Sequence, residues 1–324
     1  MLNNTSQQTK SASLDDIERE FCANGFMEFG NIIPPEYCET VLKQIKEIQP
    51  FGPELFQSQE DFEANPVFKK IHPGAKDYNL MEKLDQDDVR KIEEYPPFVE
   101  ALEQILGPNY SILLRKVICG IPETWIPEWV LERTRGNAAN NMAAYIKSPY
   151  RHLTYFYGID FHQDLIDWPE RPGDFITLYI YLHPVGKEDA PLHIMPKSHK
   201  FGGTVFPHDL KQDPSDKHKW TYSNGEGRAM ECESKMLTGD TGYAALWSAY
   251  TLHGTQPDKA DNERISLRYL IAKDPDATDT LIDKLQASLD GPLTMATTRI
   301  DRDEEGDTQF KQNAINTINT AEDN

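Results

Sequence analysis

The sequence predicts a mainly β domain, an antiparallel sandwich or barrel with a helical layer on its N-terminal side. Two observations lead there. Apolar residues recur at helical spacing as far as Gly107, and beyond it they fall into short alternating runs. Those runs are separated by Pro172-Gly173, Gly202-Gly203, Gly239-Asp240 and Pro257-Asp258, the punctuation of an all-β region. The length of 324 residues, 38% of them hydrophobic, suits one large β domain as well as two ordinary ones.

The elements follow in order. Residues 1–13 are polar and read as a loose tail. Ser13 can cap a helix with Asp16 three residues on, and Leu14, Ile17 and Phe21 share a face until Gly25 stops it. Phe26 to Phe29 alternates as a short strand. Pro34-Pro35 opens a second helix with a stripe of Cys38, Val41, Leu42, Ile45 and Ile48. A third carries Phe98, Leu102, Ile105 and Leu106 and ends at Gly107-Pro108. Strands are expected over Tyr110–Cys119, Phe175–Val185, Leu192–Met195, Tyr243–Trp247 and Arg264–Ala272, and a last helix over Thr280–Leu289. From about Thr297 the chain is rich in Asp, Glu, Asn, Gln and Thr and reads as disordered or loosely attached. The organisation is a tail (1–13), a main domain (14–275) and a C-terminal helix with a polar tail (276–324). Residues 122–150 form an excursion of weak periodicity.

Lys and Arg number 33 against 53 Asp and Glu, a net charge of −20. So acidic a chain repels phosphate backbones and lacks a polybasic anchor, so neither nucleic acid nor membrane is an expected partner. No apolar run reaches spanning length, and the first residues lack a secretory pattern. Cys22, Cys38, Cys119 and Cys232 lie far apart without a C-x-x-C pair, which suits a reduced, cytoplasmic protein and offers no thiolate zinc site.

The chemistry centres on His162-Gln163-Asp164. On a strand, residues i and i+2 face the same way, so an imidazole and a carboxylate stand side by side. With a distant histidine they make the two-His, one-carboxylate set that binds ferrous iron and leaves positions open. His253 is the natural third ligand. By itself an H-x-D match is weak, since roughly 0.7 such matches arise by chance in a chain with this many histidines. Its company strengthens it. Arg264 follows His253 by 11 residues on a strand-like run, and its guanidinium suits a carboxylate. Ser266 faces the same way and adds a hydroxyl.

These residues resemble the phytanoyl-CoA dioxygenase family of Fe(II)/2-oxoglutarate oxygenases. His162-Gln163-Asp164-Leu165 with Arg171-Pro172-Gly173-Asp174 matches its first ligand strand and the turn that follows. The segment from Asp189 to Lys200, with Leu192 and Pro196-Lys197-Ser198-His199, resembles another family signature, although Ala190 and Lys197 stand where glycines are usual. Gly239-Asp240, His253-Gly254 and Arg264 complete the order, and the likeness runs from about Ile17 to Ala272.

The resemblance implies a double-stranded β-helix, the cupin-like jelly roll. It implies iron held by His162, Asp164 and His253, and 2-oxoglutarate held at its distal carboxylate by Arg264. Gln163 and Lys116 stand near positions that contact this cosubstrate in relatives. O2 is the oxidant, succinate and CO2 are released, and an unactivated C–H bond of a small organic substrate is hydroxylated or otherwise oxidised. With Asp164 present, oxidation rather than halogenation is expected. Residues 122–150 are expected to cover the active site. Arg115, Arg133, Arg135, Lys147 and Arg151, in and beside this stretch, are expected to set specificity for an acidic substrate. Of the other aromatic and imidazole groups, Trp168 is expected near the pocket, Trp247 in packing, and His183 in the pocket wall or the core. Two rival readings stand: a jelly-roll binding protein without catalysis, and a metal-dependent cupin enzyme that does not use 2-oxoglutarate.

Overall fold

The computed structural model describes residues 13–64, 79–168, 171–291 and 299–301. Seven α-helices lie in these residues: α1 (Leu14–Asn24), α2 (Pro35–Ile48), α3 (Gln59–Ala64), α4 (Gln86–Glu93), α5 (Pro96–Leu106), α6 (Glu128–Thr134) and α7 (Leu281–Ala287). The strands are β1 (Phe26–Asn31), β2 (Ser111–Gly120), β3 (Ala139–Asn141), β4 (Thr154–His162), β5 (Phe175–Tyr181), β6 (Leu192–Ile194), β7 (Asp209–Asp213), β8 (Asp216–Ser223), β9 (Ala229–Glu233), β10 (Lys235–Leu237), β11 (Tyr243–Ser248), β12 (His253–Thr255) and β13 (Arg264–Ala272).

The local signals act as expected at the helix ends. Ser13 and Asp16 form a reciprocal capping box on α1, and Gly25 closes it in the left-handed conformation at φ 64°. Thr280 and Asp283 repeat the box on α7. A proline at the start of α2 and of α5 sits where a missing N–H costs nothing.

The strand order β1-β11-β5-β13-β2 makes one sheet and β4-β12-β6-β10 the other, with β3 added to β4. They join where β2 and β4 run parallel over Ile118–Gly120 and Thr154–Phe156. Every other pairing is antiparallel. Side chains from both sheets meet in one cluster that includes Ile118, Tyr179, Tyr181, Leu192, Ile194, Tyr243 and Trp247. This is the double-stranded β-helix. The opposite face of the first sheet carries Ile176, Leu178, Ile180, Ile265, Leu267 and Tyr269, and the helices cover it with Phe21, Val41, Ile45, Phe98 and Leu102.

Some features lay outside the sequence expectations. The short helices α3 and α4 and the strand β3 were not foreseen. Nor was the separate sheet β7-β8-β9, inserted between β6 and β10. Helix α7 sends Leu281, Ile282 and Leu285 into the same core as α1 and α5, so that core extends past residue 275. Ala190 and Lys197 adopt positive φ, 49° and 73°, so both turns keep a glycine-like backbone without glycine. Residues 1–12 of the N-terminal tail, and the polar tail except 299–301, lie outside the described residues.

Candidate metal centre and active site

Strand β4 ends at His162, and Asp164 opens a 3-10 turn, Asp164–Asp167. The two are therefore not on one strand, as the spacing suggested, but Gln163 between them is extended (φ −105°, ψ 140°) and keeps them together. His253 begins β12 and sits directly opposite His162 in the ladder. One ligand atom from each of His162, Asp164 and His253 lies within 4.8 Å of the others. The imidazole centroids are 4.2 Å apart, and His253 Nε2 is 3.6 Å from Asp164 Oδ1.

Second contacts aim each ligand. Nδ1 of His162 lies 3.0 Å from the Asp160 carbonyl, and Nδ1 of His253 lies 3.0 Å from the Thr251 carbonyl. A carbonyl only accepts, so each Nδ1 carries the proton and each Nε2 is left as a ligand. Burial holds both imidazoles neutral, His253 with a pKa lowered to about 3 against the opposing pull of Asp164. Asp164 is buried too. Burial alone would raise its pKa, but above all the positive charge of Arg268 holds it well below the usual carboxylate range. Thr177 Oγ1 (2.5 Å) and Trp247 Nε1 (3.1 Å) both donate to Oδ2, and Arg268 donates to Oδ1. The carboxylate is fixed with Oδ1 toward the histidines.

The cavity beside this cluster is lined by Ile118, Phe156, Ile159, Tyr179, Leu192, Phe206, Trp247, Arg264 and Arg268, with Asn141 from β3. Arg264 is 1% exposed, and its Nε and one terminal nitrogen have no hydrogen-bond partner. Its guanidinium lies 5.6 Å from the Tyr179 ring centre. Ser266 Oγ is likewise buried without a partner. Unsatisfied donors beside a cavity, one of them cationic, fit a carboxylate ligand. Three buried N and O ligands on one side of that cavity fit a divalent iron.

Gln163 and Lys116 stand differently from what the resemblance implied. The Gln163 amide donates to the Gly202 and Tyr250 carbonyls and accepts from Thr204 N–H. All of it is spent on fixing three loops, and Gln163 is absent from the cavity wall. Lys116 is buried opposite Arg268 on β13 and does not line the cavity either.

The basic residues around 122–150 are committed elsewhere. Arg115 pairs with Glu93, Arg133 with Glu63 and Arg135 with Glu128, while Lys147 and Arg151 donate to carbonyls. None of them lines the cavity.

Trp168 packs at a tilt against Phe175 and is outside the cavity, whereas Trp247, expected only in packing, holds Asp164. His183 takes the Ile265 N–H on Nε2 and is a structural strap between strands. His193 pairs with Gln256.

Sequence reasoning missed Arg268, Thr177, Trp247, Asn141 and Arg299. Arg268 had a readable signal, since Arg264, Ser266 and Arg268 alternate on one strand face. Arg299 had none. It reaches the cavity from the polar tail, where Ile300 N–H bonds the Phe206 carbonyl and Arg299 is held by Asp167 (3.0 Å) and Asp301 (2.7 and 3.0 Å).

The family model for phytanoyl-CoA dioxygenase (PhyH) matches residues 21–266. The chain belongs to this family. The match covers all but one of the double-stranded β-helix elements in full and stops inside β13, so Arg268 and Arg299 lie beyond it. A curated relative, a probable alpha-ketoglutarate-dependent hypophosphite dioxygenase of Stutzerimonas stutzeri, is 30% identical over 106 residues, 33% of this chain. The similarity spans about a third of that relative, 36% of its length.

Among solved structures, the epimerase SnoN with Fe3+, alpha ketoglutarate and nogalamycin RO aligns at 11% identity and a TM-score of 0.49, covering 80% of this chain and 83% of SnoN. The non-heme monooxygenase ThoJ aligns at 12% identity and a TM-score of 0.47, covering 80% and 77%.

Proposed function

We propose that this PhyH-family protein is an Fe(II)/2-oxoglutarate-dependent dioxygenase that oxidises a C–H bond of a small organic substrate, with succinate and CO2 as coproducts. The observation that carries the reading is the pairing of two features on one cavity. His162, Asp164 and His253 present Nε2, Oδ1 and Nε2 to a common point, and Arg264 stands buried with unanswered donors beyond them. A guanidinium desolvated in this way needs an anion to answer it, and a keto diacid chelated at the triad supplies one. The family match and the alpha-ketoglutarate dependence named for the curated relative support the same reading.

Bound by this triad, iron supplies the oxygen chemistry and the keto acid the electrons. The chain's own contributions are positional. Thr177, Trp247 and Arg268 fix the Asp164 carboxylate with Oδ1 toward the histidines, where it would serve as a ligand, and the Asp160 and Thr251 carbonyls fix the imidazole tautomers. Arg264 and Ser266 take the distal carboxylate. Apolar walls from Ile118, Phe156, Ile159 and Leu192 exclude water from the reacting centre. The 122–150 stretch contributes Ala139 and Asn141 to the wall, which supports a role in substrate selection through Asn141 Nδ2, a buried donor with no partner.

The test is an anaerobic titration of metal-free protein with Fe(II) and then 2-oxoglutarate. A visible charge-transfer band that needs both, and is lost in His162→Ala, is the expected result. A folded protein that binds neither overturns the reading.

A further inference from the structure

On β13 the side chains of Arg264, Ser266 and Arg268 share the barrel's inner face. Arg264 lies opposite Gly120, Ser266 lies between Ile118 and Tyr181, and Arg268 lies between Lys116 and Tyr179. Four residues of strand separate the two arginine Cα atoms by about 13 Å. Both guanidinium groups reach the same cavity. Arg264 stands at the end away from the ligands. Arg268 touches Asp164 and so stands at the ligand end.

The charges give Arg268 a task beyond holding Asp164. Of the three arginines on the cavity wall, Arg299 is answered by both Asp167 and Asp301. Arg264 is only partly answered. Arg268 is answered by Asp164 Oδ1, the very oxygen turned toward His253. A divalent ion on that oxygen draws on the same negative charge. Arg268 is then a half-buried cation (side chain 18% exposed) in surplus, next to the open metal positions, with Lys116 behind it. An anion at those positions meets a fixed donor fork. A five-carbon keto diacid has a carboxylate at each end, and the wall offers a guanidinium at each end.

We propose that Arg268 is the second guanidinium of the cosubstrate site. It donates to the carboxylate beside the keto group, at the metal end, while Arg264 holds the distal one. The inference rests on the 2-oxoglutarate reading above. It gives that reading a second anion anchor, placed past the stretch matched by the family model.

The experiment measures binding rather than turnover. Wild type, Arg268→Met, Arg268→Lys and Arg264→Met are loaded with saturating Fe(II) without oxygen. Each is titrated with 2-oxoglutarate and with 2-oxobutyrate, a keto acid that lacks the distal carboxylate. Fe(II) affinity is measured separately by equilibrium dialysis. Arg268→Met weakens both keto acids about tenfold or more, and Arg268→Lys recovers part of the loss. Arg264→Met weakens 2-oxoglutarate and leaves 2-oxobutyrate within about twofold of wild type.

Arg268→Met binding both keto acids within about twofold of wild type overturns the proposal. So does an Arg268→Met effect confined to Fe(II) affinity in the dialysis, since that makes Arg268 a prop for Asp164 alone. Wild type that forms no band with either keto acid sinks the functional reading itself, a distinct outcome.

Discussion

Arg268 donates to Oδ1 of Asp164, the carboxylate oxygen that also faces His253 Nε2 at 3.6 Å. One cation from β13 thus compensates a carboxylate that is 1% exposed. The protein can fold around its acidic ligand before any metal arrives, because an uncompensated buried carboxylate is costly.

Asp164→Ala removes the acceptor of Thr177, Trp247 and Arg268 together. Three buried donors lose their partner, so the metal-free protein is expected to lose about 2–4 kcal/mol. Urea unfolding of metal-free wild type and variant measures this directly. A change below about 0.5 kcal/mol contradicts the compensation argument.

Arg264 shows the opposite balance. Its guanidinium is fully buried with two unanswered nitrogens, so it costs stability that a ligand returns. Arg264→Met, of similar volume, is expected to leave the melting temperature of the metal-free protein unchanged or raise it. The same variant loses the thermal shift that 2-oxoglutarate gives the iron-loaded wild type. Differential scanning calorimetry with and without the keto acid separates the two effects.

Asp258 introduces a pH dependence near Arg264. Burial raises its pKa to about 7, and the Arg264 charge opposes that rise. Below pH 7 the carboxyl is mostly neutral and Arg264 is free for an anion. Above it the carboxylate competes. The affinity for 2-oxoglutarate is expected to fall as pH rises through 7. Asp258→Asn is expected to flatten that profile, and a profile identical to wild type's would count against the competition.

Buried histidines outside the ligand set make the fold acid-sensitive. Burial lowers the pKa of His199 and of His208 to about 3. An unfolded imidazole titrates near 6.5, so between about 3 and 6.5 the unfolded chain binds more protons. Stability is complete above pH 6.5 and declines as pH falls through that window. The urea midpoint followed from pH 7 to pH 4 should drop steadily. His199→Met should make the drop shallower.

Lys197 holds the left-handed conformation, φ 73°, on an exposed turn. A Cβ there costs roughly 1 kcal/mol, and glycine removes that strain at the expense of a looser unfolded chain. Lys197→Gly is expected to be neutral to stabilising by up to about 1 kcal/mol, in contrast to the usual loss on inserting glycine. Chemical denaturation checks the sign.

Local chemistry wrote much of this protein legibly. Ser13 with Asp16 and Thr280 with Asp283 mark helix starts through bonds only three residues long, and the alternation of Arg264 to Ala272 gives a strand whichever partner it finds. The family-like order of His162, Asp164, His253 and Arg264 pointed to the residues that the fold gathers around one cavity. Gln163 misled because a position near a site says nothing of where the side chain spends its hydrogen bonds. Gln163 meets Gly202, Thr204 and Tyr250, which lie 39, 41 and 87 residues away.

The basic residues around 122–150 misled for the same reason. Net charge along the sequence does not record which Glu or carbonyl lies next to each cation in space. The sequence by itself determined the class of fold, the longer helices α1, α2 and α5 and the candidate ligand types, all properties of short-range pattern. Only the tertiary structure decided that Thr177, Trp247 and Arg268 converge on Asp164, and that Arg299 returns from the polar tail to the cavity mouth. Those contacts join residues 13, 83, 104 and 132 positions apart, and burial and register across two sheets, not local propensity, bring them together.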